Sequence, residues 1–250
     1  MERTAVRGRL NWLAAEVVEL FDETDTVRSI VLDCPGWPGH LPGQHVDIRL
    51  TAEDGYQAQR SYSIASAADG ERIMITVELV EGGEVSPYLT GELARGDEIE
   101  LRGPIGGYFV WTPELGGPLQ LIAGGSGLVP LMAIVRSLAG SDRQVPVRLL
   151  VSARSRDSLI YREELVRLAG EVPMLHIDYA LTRTQPSNWQ GYARRVDKAM
   201  LEESAWPAID RPKTYVCGPT GFVETVATQL LALGHDPKQV KTERFGPSGG

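Results

Sequence analysis

Residues 119–135 read LQLIAGGSGLVPLMAIV. An apolar run enters a glycine-rich turn, AGGSGLVPL at 123–131, and a second apolar run leaves it. A short strand, a tight turn and a helix start account for that order, and a helix start points unpaired N–H groups at anions. The turn departs from the G-x-G-x-x-G dinucleotide fingerprint: Gly125 and Gly127 fit its first two glycines, but Pro130 holds the third position. Proline is tolerated in a first helical turn, where its missing donor would be unpaired anyway. A tight turn without a ligand fits this segment as well as a phosphate cradle does, so the surrounding chain has to decide.

Downstream, strands and helices alternate. VPVRLLVSA reads as a strand and YREELVRLAG as a helix; MLHIDYAL and TYVCG are strands, FVETVATQLLALG is a helix ending at Gly234, and QVKTERF is a last strand. This rhythm predicts a parallel sheet with helices on both faces, with ligands bound at the carboxyl ends of the strands.

Upstream the period changes to two. In RIMITVELV, residues Ile73, Ile75, Val77 and Leu79 share one face, with Met74, Thr76 and Glu78 on the other. HVDIRL, TVRSIVLD, AQRSYSIAS and DEIELRG are similar short runs, so the first half predicts a β-barrel or sandwich. Between the halves lies GPIGGYFVWTPELGGP, residues 103–118, with five glycines and three prolines, a natural boundary. It divides the chain into units 1–112 and 113–250.

The 250 residues carry a net charge of −8, which argues against a nucleic-acid partner. Two cysteines, Cys34 and Cys217, and four scattered histidines offer no zinc or iron–sulfur ligand pattern, so no protein metal site is expected. Residues 115–135 are uncharged, but their five glycines and two prolines favour strand–turn–helix over a membrane span. The first ten residues lack the apolar core of a signal peptide, and a soluble cytoplasmic protein without a membrane partner is expected.

Three further segments bear on the turn. Arg60-Ser61-Tyr62-Ser63 sits on a strand of the first half; its guanidinium suits a phosphate and its ring suits a flat heterocycle. Gly82-Gly83-Glu84-Val85-Ser86-Pro87 precedes a short helical segment, with Ser86 read as its N-cap and Pro87 as its first residue. Cys217-Gly218-Pro219 follows a strand and precedes a helix. Each alone has a plain reading: a half-buried strand, a helix cap, a buried cysteine.

Together and in this order, Arg-x-Tyr-Ser, Gly-x-x-Ser, Gly-Gly-Ser-Gly-x-x-Pro and Cys-Gly-Pro resemble the ferredoxin–NADP reductase superfamily, over roughly residues 9–246. The resemblance implies an N-terminal antiparallel Greek-key barrel that binds FAD and a parallel-sheet NAD(P)-binding domain. It places Arg60, Ser61, Tyr62, Ser63, Val77, Glu78, Gly82, Gly83, Val85 and Ser86 around FAD, with Ser63 near the flavin N5. It assigns Gly124, Gly125, Ser126, Gly127 and Pro130 to the nicotinamide cofactor's pyrophosphate, and Cys217, Gly218 and Pro219 to its nicotinamide end. Glu243 and Phe245 fall in the carboxyl-terminal segment that approaches the flavin, a stretch a fraying tail would also explain. Ser63, Cys217 and Glu243 are the candidates closest to the chemistry.

Arg154, Thr182 and Arg183 follow the second and third parallel strands, where an arginine suits a 2′-phosphate and an acid suits the free ribose. NADPH is expected, with NADH as the alternative. The expected activity is hydride transfer from NAD(P)H to FAD, with electrons leaving to a separate protein such as a ferredoxin, flavodoxin or oxygenase component. Two other readings compete: a flavin-binding subunit without turnover, and a hydrolase with Ser126 as nucleophile. The second lacks the final glycine of G-x-S-x-G, since Leu128 stands there.

Overall fold

The alternating runs of the first half become antiparallel strands that roll up. The computed structural model describes residues 10–246. Its first six strands are β1 (Leu13–Thr24), β2 (Val27–Asp33), β3 (His45–Thr51), β4 (Gln57–Ser63), β5 (Arg72–Glu78) and β6 (Glu98–Ile105). They form one sheet in the order β4-β3-β6-β1-β2-β5. Its two edges meet where Ile64 bridges Ile75 and the Ala65 N–H donates to the Met74 carbonyl at 2.7 Å. Closure removes the exposed edges that an open sheet would present. Ile30, Leu32, Val46, Ile48, Ile75, Val77 and Leu101 fill the interior without exposure, each contributing about 1.5–3 kcal/mol relative to a solvated side chain.

β1 is the strand that periodicity does not announce. It carries Glu16, Glu19, Asp22 and Glu23, and irregularities at Val17/Glu19 and Asp22/Thr24 shift its phase, so the alternation is broken twice.

The second half contains β7 (Leu119–Gly124), α1 (Leu128–Ala139), β8 (Val147–Ala153), α2 (Arg162–Glu171), β9 (Leu175–Leu181), α3 (Lys198–Ser204), β10 (Lys213–Pro219), α4 (Thr220–Ala232) and β11 (Val240–Phe245). All neighbouring strands pair in parallel, in the order β11-β10-β7-β8-β9. Leu121, Leu149 and Val151 pack with α1 and α2, while Ile122, Leu150 and Val216 pack with α3 and α4. Helices thus cover both faces, as the rhythm predicted. The short α3 was not foreseen; the Asp197 side chain caps it by accepting from the Met200 N–H at 2.8 Å.

The chain runs from β7 outward to β8 and β9, then returns to β10 on the other side of β7. The carboxyl ends of β7 and β10 therefore flank the topological switch point, where open parallel sheets bind ligands. Residues 115–135 form a connecting turn, β7 and α1, and among the described residues no helix is long and apolar enough to cross a membrane. The two halves share a core: Phe109 and Trp111 from the connection, with Val27 and Ala65 from the barrel, pack into the cluster that holds Leu121 and α1.

Candidate active site

The glycine turn stands where the opening stretch put it. Gly125–Gly127 makes one tight 3₁₀ turn between β7 and α1. The position of Gly127 leaves no room for a side chain: a Cβ there would lie 2.2 Å from the Cys217 carbonyl oxygen. Gly124 and Gly218 are closed by Phe222, whose ring would come within 2.7 and 2.8 Å of a Cβ at either site. Gly125 differs. Its φ of +55° favours glycine, and nothing lies within 4 Å of its missing Cβ. The turn is therefore tight on the protein side and open on the other, with the start of a 12-residue helix behind it. Pro130 is buried in that first turn.

Across three strands, Ala123, Cys217 and Glu243 form one row. Cys217 is 1% exposed, and burial, with the Glu243 carboxylate nearby, pushes its thiol well up. It is a neutral, compact wall, because only a thiolate would be nucleophilic. Burial raises the Glu243 carboxyl to about 7, and its Oε2 is buried without a hydrogen-bond partner. Two residue pairs further along, Pro219 faces Phe245, which stays exposed.

In the barrel, Arg60 on β4 is exposed while Tyr62 packs against the core, where burial pushes its phenol up to about 12. The Arg60 guanidinium meets Glu84 at 2.9 Å, and the Tyr56 hydroxyl donates to the same carboxylate. The Arg-x-Tyr-Ser strand and the Gly82–Ser86 loop are thus joined through residues 24 apart in sequence. Ser61 donates to Asp47 at 2.6 Å, and Asp47 also pairs with Arg102, so that hydroxyl ties β4 through β3 to β6. Ser63 ends β4 half-buried, paired with His45, and makes no hydrogen bond to Cys217 or Glu243.

The loop itself corrects one expectation. Ser86 does not cap a helix. Its hydroxyl accepts from the Val80 N–H at 3.1 Å, closing a turn in which Gly82 has φ +72° and Gly83 donates to the Val80 carbonyl. The segment beyond is a single π-helical turn, Tyr88–Glu92, capped by Pro87 without a side-chain bond. Val85 is fully buried and anchors the loop.

A hydrogen bond brings the two halves' motifs together: Ser126 in the glycine turn donates to Glu78, at the end of β5, at 2.6 Å. Val77, its neighbour, points into the barrel core. The hydroxyl of Ser126 is bonded to a carboxylate and not to an imidazole, so the hydrolase reading finds no Ser–His pair here, and it also lacks the last glycine of its motif. Just past the carboxyl ends of β8 and β9, the Thr182 N–H and hydroxyl both donate to the Ala153 carbonyl, and the Arg183 N–H donates to the Arg154 carbonyl at 2.9 Å. Arg154 and Arg183 are therefore side by side and exposed, and neither forms an ion pair among the described residues.

These residues fit a dinucleotide pair. An open glycine turn at a helix start and two arginines without an ion pair among the described residues suit phosphate groups, and Arg60, held by Glu84, is an exposed cation beside the Gly82–Ser86 loop. Sequence reasoning missed Phe222, Glu84 and Asp47. Phe222 carried a faint signal, an aromatic in the first turn after Cys217-Gly218-Pro219; Glu84 and Asp47 matter only through their partners across the barrel.

Residues 25–110 match the oxidoreductase FAD-binding domain, and residues 121–228 match the oxidoreductase NAD-binding domain. The chain is 30% identical to the glycine betaine monooxygenase reductase subunit of Pseudomonas aeruginosa, over 92% of this chain and 63% of that protein. It is 29% identical to the reductase component of the Pseudomonas putida naphthalene 1,2-dioxygenase system, over 83% of this chain and 61% of that one. The chain thus spans less than two thirds of these relatives. The solved FAD/NAD-binding domain of nitric oxide dioxygenase from Vibrio cholerae superposes with a TM-score of 0.82 at 29% identity, covering 94% of this chain and 99% of that one. The barrel with its parallel-sheet partner, the matched domains and the four ordered motifs agree: the chain belongs to the ferredoxin–NADP reductase superfamily of FAD- and NAD(P)-binding oxidoreductases.

Proposed function

We propose that this chain takes hydride from NADPH onto FAD and hands electrons to a separate protein acceptor, a ferredoxin, flavodoxin or oxygenase component. The observation that carries this reading is the Ser126–Glu78 contact, which faces the nicotinamide turn toward the barrel strand that leads into the Gly82–Ser86 loop. The relatives named as reductase components of oxygenase systems support the choice of acceptor class. We divide the chain at 112/113 and place it in the cytoplasm, where reduced nicotinamide cofactors are at hand.

FAD, when bound, supplies hydride acceptance and onward electron delivery. The protein supplies position and electrostatics. Arg60 and the backbone of Gly83, Val85 and Ser86 hold the FAD phosphates; Tyr62 packs on the ring system, with Ser61, Val77, Glu78 and Gly82 around it. Gly124, Gly125, Ser126, Gly127 and Pro130 seat the second dinucleotide, and Arg154, Thr182 and Arg183 hold its adenosine end and 2′-phosphate. Cys217, Gly218 and Pro219 wall the nicotinamide end, where the buried thiol excludes water. Glu243, able to keep or lose a proton near neutrality, and Ser63 border the reacting rings, with Phe245 at the rim. Holding two rings in a near-attack arrangement is the main contribution to rate.

Two measurements test this. Denaturation and chromatography of the purified protein should release FAD; FMN alone, or no flavin even after reconstitution with FAD, contradicts the assignment. The protein should also reduce an artificial dye with NADPH while containing no stoichiometric iron. Iron at stoichiometry would show an internal acceptor and overturn the separate partner.

A further inference from the structure

β5 has two faces with two jobs. Ile73, Ile75 and Val77 point into the barrel core, and Met74, Thr76 and Glu78 point out at the second half. Each outward residue touches a different element there. Met74 lies against Arg136 of α1, Thr76 against Tyr161 before α2, and Glu78 against Ser126 in the glycine turn. Successive contacts are two positions apart, about 7 Å along the strand. One barrel strand therefore acts as a rail for the nicotinamide half.

The central contact is a closed ring of hydrogen bonds. The Tyr161 hydroxyl donates to Thr76 Oγ1, the Ser29 and Thr76 hydroxyls are hydrogen-bonded at 2.8 Å, and the Ser29 hydroxyl donates to Glu23 Oε1 at 2.7 Å. The Tyr161 N–H donates to the other oxygen of Glu23 at 3.0 Å. Glu23 as a carboxylate only accepts, so the Ser29 proton goes to it and the Thr76 proton goes to Ser29. Every hydroxyl proton then points the same way round, and the ring joins β1, β2 and β5 to one residue of the second half. Thr76, Ser29 and Tyr161 are all buried. Buried polar networks with every group satisfied specify one arrangement and reject neighbouring ones.

Two further features mark this place. Tyr161 has φ +55°, a left-handed conformation that a bulky side chain holds only where its surroundings over-determine it. Its ring is covered by Arg136, whose guanidinium lies 4.7 Å from the ring centroid, grips Glu164 with two bonds and donates to the Ala65 carbonyl at 2.7 Å. Ala65 follows the strand end that carries Ser63.

The geometry points to Tyr161 as a positioning residue: through the Tyr161–Thr76–Ser29–Glu23 ring it registers the nicotinamide turn against the flavin barrel, and so sets the approach of the hydride donor. This rests on the proposed function. Thr76 stands two residues before Glu78, so a slip at the ring moves the turn. A misplacement of about 1 Å is enough to cost about 10²-fold in rate.

The test is anaerobic flavin reduction in the FAD-loaded protein, followed by stopped flow across a range of NADPH concentrations. That experiment yields the reduction rate and the NADPH dissociation constant separately. Tyr161→Phe, which keeps the ring under Arg136, and Thr76→Val, which cuts the same bond from the barrel, should each slow reduction roughly 10-fold. FAD content and NADPH affinity should stay within about twofold of wild type, and Thr76→Ser should restore the rate. If either variant loses FAD, Ser29→Ala opens the ring from a third side and is measured in its place. Unchanged reduction rates in the ring variants, or losses that only track lost FAD, overturn the inference. A wild-type protein that NADPH does not reduce would instead overturn the proposed function.

Discussion

The two halves build their ligand surfaces from different materials. In the parallel half, backbone does the shaping: Gly124, Gly127 and Gly218 are pinned by Phe222 and the Cys217 carbonyl, and no side chain can enter. In the barrel, side chains do it. Arg60 pairs with Glu84 at an exposed site, and Tyr62 rests on the core. A backbone site fails all at once when it is crowded, whereas a side-chain site degrades by degrees. The two halves should therefore respond to mutation on different scales.

The sharpest break is Gly127→Ala. The new methyl would meet the Cys217 backbone, which cannot yield as a flexible side-chain tip would. Overpacking of this kind costs about 3 kcal/mol, and the displaced turn should lower kcat/KM by more than about 100-fold. Differential scanning calorimetry and steady-state kinetics read the two losses. Gly125→Ala is the control, since only its left-handed backbone resists; it should cost about 1–2 kcal/mol. Equal damage at both positions would show that close approach is not what distinguishes Gly127.

Next is Arg183→Ala. Loss of one charged hydrogen bond to a 2′-phosphate should cut kcat/KM for NADPH about 10- to 150-fold and leave NADH nearly untouched. Equal losses for both cofactors, or a wild-type preference for NADH, would assign Arg183 to structure or to the shared part of the cofactor.

Glu243 sharpens the comparison through pH. Its folded carboxyl keeps a proton up to about 7, against 4.5 for the ordinary group. Between those values the folded state holds the extra proton, so stability is greatest below about pH 4.5 and falls as pH rises toward 7. The contribution is at most about 3 kcal/mol. Glu243→Gln should flatten the change in Tm across that window; an unaltered slope would place the titration elsewhere.

The smallest effect belongs to the barrel. Glu84→Gln removes the partner of Arg60 from an exposed pair, where such pairs contribute little. Tm should hold, and FAD should bind about two- to threefold more tightly as Arg60 is released to the phosphates. A large drop in Tm would mean that the pair holds the Gly82–Ser86 loop in shape.

How much of this was legible follows from the range over which each signal acts. Periods of two and of strand–helix alternation are local, so β5, β7 and α1 could be read directly. β1 could not, because its bulges and acidic residues mask the alternation. The glycine turn was legible because a tight turn must be written in glycine, and the arginines after β8 and β9 because their places on the sheet follow from chain order. Ser86 misled, since a serine before proline reads as a cap whether or not its hydroxyl is engaged elsewhere. The Glu23–Ser29–Thr76–Tyr161 ring gave no local sign at all. It joins residues up to 138 apart, and only the docking of one half on the other brings them within reach.

The central claim is that one crevice, walled by both halves, passes hydride from a nicotinamide cofactor to a flavin. Anaerobic addition of NADPH to the FAD-loaded protein tests it most directly. The account predicts that the yellow flavin absorbance bleaches at one equivalent of NADPH, without any added acceptor. A protein that stays yellow with NADPH and with NADH, or that takes up no FAD, would contradict it.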